Sequence, residues 1–233
     1  MSTLVENIQY RYERKFVFEN KHPAYVEMIV KNHPSNFHEI FQQRQVNNIY
    51  FDKQGLRYYH DNFDGNTNRK KVRIRWYGNP VGQISKPILE FKIKKGELGI
   101  KKSYILPDFA IEKGFNARQI KKLFEQADLP DNIREEIMGL EAQLLNSYSR
   151  RYFRSFDYNF RFTVDHKMEY FKFSQYHNLF LHKIPDYQNV ILELKYDMKF
   201  ASEVSVISSK LPVRLSKFSK YISGMEKLYP QLV

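Results

Sequence analysis

The chain has 233 residues, 42% hydrophobic and 27% charged, with 38 Lys and Arg against 26 Asp and Glu for a formal net charge of +12. That apolar share, with only 9 Gly and 9 Pro, excludes a disordered tail and predicts a single folded domain over 1–233. No run approaches the ~18 consecutive apolar residues that cross a bilayer, no N-terminal signal core is visible, and cysteine is absent, so a soluble cytoplasmic chain without disulfides, thiolate nucleophile or cysteine zinc site is expected. The positive surplus calls for an anionic partner: nucleic acid, an acidic membrane surface, or phosphate-rich small molecules.

In chain order, period-two alternation predicts strands at Tyr10 to Phe18, Asn47 to Asp52, Val72 to Tyr77, Leu89 to Lys94, Ser103 to Leu106, Tyr148 to Phe156, Phe160 to Asp165 and Val190 to Tyr196. Helices are expected at Tyr25 to Lys31, after an Asn116 cap with Ile120, Leu123 and Phe124 on one face, and at Ser219 to Leu228. A further helix behind Pro130 and Asp131 is expected to carry Ile133, Ile137, Leu140 and Leu144. Short turns separate most strands, so the fold class is α+β with antiparallel pairing, not a doubly wound nucleotide sheet. Eight strands suffice to close a small barrel.

The second face of these strands is unusual. In an ordinary half-buried strand it holds a scatter of polar types. Here Arg11, Glu13 and Lys15 share a face, as do Arg73 and Arg75, then Glu90, Lys92 and Lys94, then Arg161, Thr163 and Asp165, then Glu193 and Lys195. A solvated outer face explains any one such strand. Five together predict a cationic lumen once the sheet curls inward, and such a lumen must hold a counter-charge. Arginine forks match phosphate oxygens in pairs and lysine adds a mobile point charge, so a linear chain of phosphates is the guest they suit. Glu13, Glu90, Asp165 and Glu193 suit a divalent Mn or Mg cation bridging phosphate oxygens, or else they pair with neighbouring Lys and Arg.

Other features carry less. Lys217 and Lys220 stand three apart at a helix start, a spacing equally suited to a solvated helix face. His166 beside Asp165 suits a place near the lumen, though such a residue is more often at the surface or capped, and Asn66 to Lys71 reads as a solvated hairpin turn. The 17 Tyr and 19 Phe mostly alternate with the charges and are assigned to the core, which argues against nucleic acid. The phosphate-loop, dinucleotide, zinc-protease and serine-hydrolase motifs are absent.

Taken in order, the segments Glu13-Arg14-Lys15-Phe16, Asn48-Ile49-Tyr50-Phe51-Asp52, Arg73-Ile74-Arg75-Trp76-Tyr77-Gly78, Leu89-Glu90-Phe91-Lys92, Tyr148-Ser149-Arg150, Arg161-Phe162-Thr163-Val164-Asp165, Leu192-Glu193-Leu194-Lys195 and Lys217-Phe218-Ser219-Lys220-Tyr221 resemble the VTC-type polyphosphate polymerase domain of the triphosphate tunnel metalloenzyme superfamily. The likeness runs over almost the whole chain. It implies a closed eight-stranded antiparallel β tunnel with helices packed outside, binding ATP, triphosphate or polyphosphate with Mn or Mg. By motif position it makes Arg73, Arg75, Lys92, Arg150, Arg161, Lys217 and Lys220 catalytic phosphate ligands. Lys15, Lys195 and either Lys101 or Lys102, Lys101 being the one named, become further substrate contacts. Glu193 is the first choice of metal ligand, with Glu90 and Glu13 beside it.

The activity implied is transfer of the ATP γ-phosphate to a growing polyphosphate. Triphosphate hydrolysis and non-catalytic polyphosphate binding are the alternatives. Hydrolytic CYTH-type members carry Glu-x-Glu-x-Lys in the first strand, whereas this chain has Arg11 at the first position, which leans toward the VTC branch. The SPX domain and membrane helices of eukaryotic VTC subunits do not fit within 233 residues, so any membrane coupling falls to a partner.

Overall fold

The computed structural model describes residues 11–96 and 98–232; Tyr10, expected to open the first strand, lies outside the described residues. β1 (Arg11–Glu19) leads to α1 (Pro23–Lys31), which opens with proline at its first position and a cap from His22, whose Nδ1 accepts from the Ala24 amide. β2 (His38–Asp52) begins well before Asn47 because bulges between Glu39 and Phe41, and between Phe41 and Arg44, break its alternation. After α2 (Arg57–Phe63) come β3 (Asn68–Tyr77), β4 (Gly82–Ile84), β5 (Ile88–Lys95), β6 (Leu98–Ile105) and β7 (Phe109–Ile111). Asn116 caps α3 (Ala117–Gln126) in a reciprocal capping box with Gln119.

α4 (Asp131–Met138) is shorter than the spacing predicts. Gly139 caps its end, Leu140 follows it, and Leu144 lies in β8 (Glu141–Arg154), so that apolar run is helix followed by strand. β9 (Phe160–Lys172), β10 (Ile184–Asp186), β11 (Asn189–Asp197), α5 (Val204–Ser209) and α6 (Lys220–Leu228) complete the order. Each of the eight predicted strands is present.

One antiparallel nine-stranded sheet runs β1-β11-β9-β8-β2-β3-β5-β6, with β10 also on β9, while β4 and β7 pair separately. Six strand spacings of ~4.8 Å would put β1 and β5 about 29 Å apart on a flat sheet. Instead Lys92 Nζ on β5 lies 3.1 Å from Glu13 Oε2 on β1, so the sheet curls until its two sides face each other. The expected strand-to-strand closure is not met: no ladder joins β6 to β1 among the described residues. The segment before α6 takes the free edge of β1 instead, Ser216 N donating to the Lys15 carbonyl at 2.8 Å.

Three apolar clusters follow from this curl. On the convex face, α3 and α4 cover Ile49, Val72, Ile74, Trp76, Leu89 and Phe91, while α1 and α5 cover Phe16, Phe18, Phe162, Val164, Leu192 and Leu194. The third is inside. α6 lies on the concave face, with Tyr221 and Met225 among Val46, Tyr50, Leu144, Tyr148, Met168, Tyr170 and Ile191. The expectation that all helices pack outside is corrected there: α6 plugs one end of the trough. It is seated by the fully buried Asp52, which accepts from Tyr221 Oη at 2.6 Å as well as from the Tyr58 and Tyr59 amides of α2. No helix among the described residues is long and apolar enough to cross a membrane.

Candidate functional site: a cationic trough

The predicted alternation is what fills the concave face. Register pairs Lys15 with Glu193, Lys195 with Arg161, Arg150 with Asp165, Arg73 with Glu90 and Lys92 with Lys101, so these side chains project from successive strands into one space. Glu193, 5% exposed, has four cations about it: Arg150 Nη2 at 3.1 Å, Lys195 Nζ at 3.2 Å, Lys15 Nζ at 3.6 Å and Lys220 Nζ at 3.7 Å. Burial opposes its ionisation, yet Lys195, Lys220, Arg150 and Lys15 together hold its carboxyl well below the usual range. Glu90 gathers a second group, with Arg73 Nη2 at 2.8 Å, Arg75 Nη2 at 3.3 Å and Lys101 Nζ at 2.6 Å. That contact places Lys101 on the trough face; its neighbour Lys102 pairs in register with Phe91, a convex-face residue.

Asp165 has another part. It is fully buried and takes both Arg150 Nε at 2.5 Å and Nη2 at 2.6 Å, with Lys220 Nζ at 2.5 Å. Arg150 and Lys220 occupy both of its oxygens, so it orients these two cations. Lys220 is the first residue of α6 and lies 4.5 Å above the Tyr148 ring, so the inward helix brings its own phosphate-ligand candidate. Lys217 precedes the Ser219 cap and is exposed, so Lys217 and Lys220 do not share a helix face, and among the described residues Lys217 makes no ion pair with the trough carboxylates.

Glu13 and Glu193 stand on adjacent strands and share Lys15, whose Nζ is 3.2 Å from Glu13 and 3.6 Å from Glu193. Burial and Glu193 push the Glu13 carboxyl up, but Lys15, Lys92 and Lys195 outweigh them and keep it ionised. Two neighbouring hard-oxygen carboxylates fit Mg²⁺ or Mn²⁺ held jointly with substrate oxygens. No cluster of three or more His, Asp or Glu able to cage a metal exists among the described residues.

Sequence reasoning missed Lys71. Far from a hairpin tip, it sits within β3, two residues before Arg73 on the same face, opposite Lys92 in register, and donates to Ser219 Oγ at 2.8 Å. Burial first, then Lys15, Lys92 and Arg69, push its ammonium well below the ordinary lysine value. Extending the Arg73, Arg75 alternation one step toward the N-terminus was the available signal. His166 is neither surface nor capped: it is 5% exposed at the β9 bulge, and neither ring nitrogen has a hydrogen-bond partner among the described residues. Burial, ahead of the adjacent Lys167, pushes its imidazole down to about 4.

The basic side chains of the trough therefore outnumber its carboxylates, and the surplus can neutralise a bound polyanion. The family model for the VTC domain matches residues 10–229. Among solved structures, a candidate adenylate cyclase of Bacillus halodurans aligns with a TM-score of 0.54 at 12% identity, over 95% of this chain and 98% of that one. A candidate adenylate cyclase of Vibrio parahaemolyticus aligns with a TM-score of 0.51 at 12% identity, over 92% and 97% of the two chains. The PH1819 protein of Pyrococcus horikoshii aligns at 0.50 and 10% identity, over 95% and 99%. These likenesses show a shared fold. No curated protein matches the chain.

Proposed function

The chain belongs to the VTC domain family, and from that premise we propose that it is a metal-dependent polyphosphate polymerase that moves the γ-phosphate of ATP onto the end of a growing polyphosphate. The observation that carries the reading is the convergence of Lys15, Arg73, Arg75, Arg150, Lys195 and Lys220 on one curled face, each within ion-pair distance of Glu13, Glu90, Asp165 or Glu193.

The chemistry sets modest demands on acid–base groups. The terminal oxygen of a polyphosphate is already anionic, so the barrier lies in bringing like charges together and in line. Glu90 holds the Arg73 and Arg75 guanidinium groups, and Asp165 holds Arg150, in fixed orientations before substrate arrives. Preorganised donors of this kind stabilise charge developing on equatorial phosphoryl oxygens without reorganising during the reaction. Lys92, whose side chain is largely exposed, can turn from Glu13 to phosphate. A divalent cation held by Glu193 with Glu13 would supply Lewis-acid neutralisation of bridging phosphate oxygens. The α6 plug, with Tyr221 and Met225 packed on the trough floor, keeps water from one end, and Arg11 stands where hydrolytic relatives of the superfamily are expected to have a further carboxylate.

The test is to incubate purified protein with ATP and Mn²⁺ and resolve the products by gel electrophoresis. Long anionic polymer with stoichiometric ADP is expected. Orthophosphate as the sole product reassigns the site to triphosphate hydrolysis, and tight binding without turnover reassigns it to polyphosphate binding.

A further inference from the structure

The cationic wall of the trough extends past the carboxylates that balance it. Tyr50, packed under α6, pairs in register with Arg73, so the residues of β3 before Arg73 stand at the end that α6 occupies. There β3, β5 and β6 set Lys71, Lys92 and Lys101 side by side, and one step further Arg69 is opposite Lys94. Arg69 and Lys71 precede Arg73, and Lys92 and Lys94 follow Glu90, at intervals of two, so alternation sends all of them to the concave face. Strands ~4.8 Å apart and a step of ~6.6 Å between alternate residues lay these charges out as a strip. Lys92 pairs with Glu13 and Lys101 with Glu90. The outer two differ. Arg69 Nη1 donates to the Asn66 carbonyl at 2.9 Å and the Gly65 carbonyl at 3.4 Å, and among the described residues neither Arg69 nor Lys94 has a carboxylate within ion-pair distance.

The strip runs beside the gap that the sheet leaves between β6 and β1. The segment leading into α6 enters through that gap and holds to β1 and β3: Ser216 N donates to the Lys15 carbonyl at 2.8 Å, Lys15 Nζ to the Phe218 carbonyl at 2.9 Å and Lys71 Nζ to Ser219 Oγ at 2.8 Å. β5 and β6 stay uncovered. The side chains of Lys92 and Lys101 are 63% and 51% exposed, against 8% for Arg150 deep in the trough. With α6 in one end, an ATP donor and a lengthening polymer would have to share the other, unless the polymer leaves by the side. A row of cations at repeating intervals attracts successive phosphates in any register, so it guides a linear polyanion without fixing it.

We propose that the polyphosphate product leaves the trough sideways, through the gap between β6 and β1, along a track made by Lys71, Lys92, Lys101, Lys94 and Arg69, and that the outer pair, Arg69 and Lys94, governs how long the chain grows before release. The proposal rests on the polymerase reading above and adds where its product goes. A chain held on the outer pair stays tethered after each transfer, so its end meets the next donor at a raised effective concentration. Inorganic triphosphate, held by Arg73, Arg75 and Arg150, is too short to reach the outer pair as well.

The test compares, on the full chain by titration calorimetry, long-chain polyphosphate with inorganic triphosphate. Arg69→Gln combined with Lys94→Gln should lower affinity for the long chain about tenfold, make its dependence on log salt shallower by about one to two units, and leave triphosphate affinity within about twofold, as expected for two lost contacts to a linear polyanion. Retained triphosphate binding shows in the same preparation that the variant is folded, and Lys94→Arg, which keeps the charge, should bind the long chain as the unaltered protein does. In the reaction with ATP the double variant should release shorter polymer while its initial rate of ADP formation stays within about twofold. Equal losses for both ligands would place the pair in the trough itself, and unchanged long-chain affinity or unchanged polymer length would leave the track without a role; each of these results overturns the proposal. Failure of the polymerase reading shows separately, as unaltered protein that makes no polymer from ATP, and it removes the exit role with it.

Discussion

Glu193 shows how a single residue can have two roles in one lumen. Free, it neutralises Arg150, Lys195, Lys15 and Lys220; under the proposed function, substrate phosphates would take over those cations and leave the carboxylate able to hold a divalent cation. Glu193→Gln should therefore cut polymer formation roughly 100-fold, in the range of losses seen when metal sites are altered. Triphosphate affinity, measured without metal, should hold or rise because one negative charge has left the site. Matching losses in binding and turnover would instead make Glu193 a purely structural counter-ion. Lys71 gives a prediction of opposite sign. Burial, with Lys15, Lys92 and Arg69 nearby, lowers its affinity for a proton in the folded chain, and an arriving polyanion reverses that balance. Triphosphate binding should thus take up protons at pH values between the lowered Lys71 value and the ordinary ~10.4. Calorimetry in buffers of differing ionisation enthalpy should show the uptake, and Lys71→Met should reduce it; equal uptake in both proteins clears Lys71 of the role. Over the same window the unfolded chain binds more protons than the folded one, so this lysine makes stability rise with pH.

Among the elements, α6 decides the shape of the site. Its close approach to the sheet depends on Gly224, where an added Cβ would meet Tyr170 Cδ1 at 2.6 Å and Leu144 Cδ2 at 2.9 Å. Both neighbours are fully buried, so neither ring nor isobutyl group can simply swing away. Gly224→Ala should cost about 1–3 kcal/mol, the usual range for overpacking, outweighing the gain in helix propensity. Urea denaturation measures the loss. Lys220 sits on the same helix, so triphosphate affinity should fall in the same variant; unchanged stability and affinity would mean that the helix shifts freely. α2 illustrates why some elements escape a reading of sequence. Its first residues follow Leu56 in the left-handed region with no local side-chain cap, and the carboxylate that satisfies the Tyr58 and Tyr59 amides belongs to Asp52, back in β2. Asn116 and Gln119 stand three apart in a local capping box, and there the start of α3 was readable.

At the scale of the whole molecule, a curled sheet concentrates charge that an extended chain would spread through water. Glu13, Glu90 and Glu193 are all ionised more readily in the fold than in free solution: burial opposes this, and the surrounding Lys and Arg overcome it. The stabilisation is fully present above the unfolded glutamate value of ~4.3 and is lost as the pH falls through the lower folded values. The urea midpoint should begin to fall below about pH 6.5, where the unfolded chain protonates the imidazole that burial keeps neutral at His166, and fall more steeply below about pH 4, where unfolded glutamates take up protons that the folded ones refuse. A midpoint that stays flat to about pH 3 would show that these carboxylates do little to hold the trough together.

The alternation of charged and apolar residues determined by itself that eight long strands exist and which residues of each alternating stretch share a face, because strand geometry alone sends alternate side chains to opposite sides, although β2, β6, β8 and β9 extend well beyond those stretches. It placed Arg73 with Arg75 and Glu90 with Lys92 before any fold was known. Which way the charged face turned, the opening of the sheet between β6 and β1, the inward seat of α6, the pairing of Asp165 with Arg150 and Lys220 and the passage of the segment before α6 through the gap were decided by tertiary structure alone. Each depends on groups far apart in the chain meeting across a curled sheet, and no local periodicity encodes such a meeting.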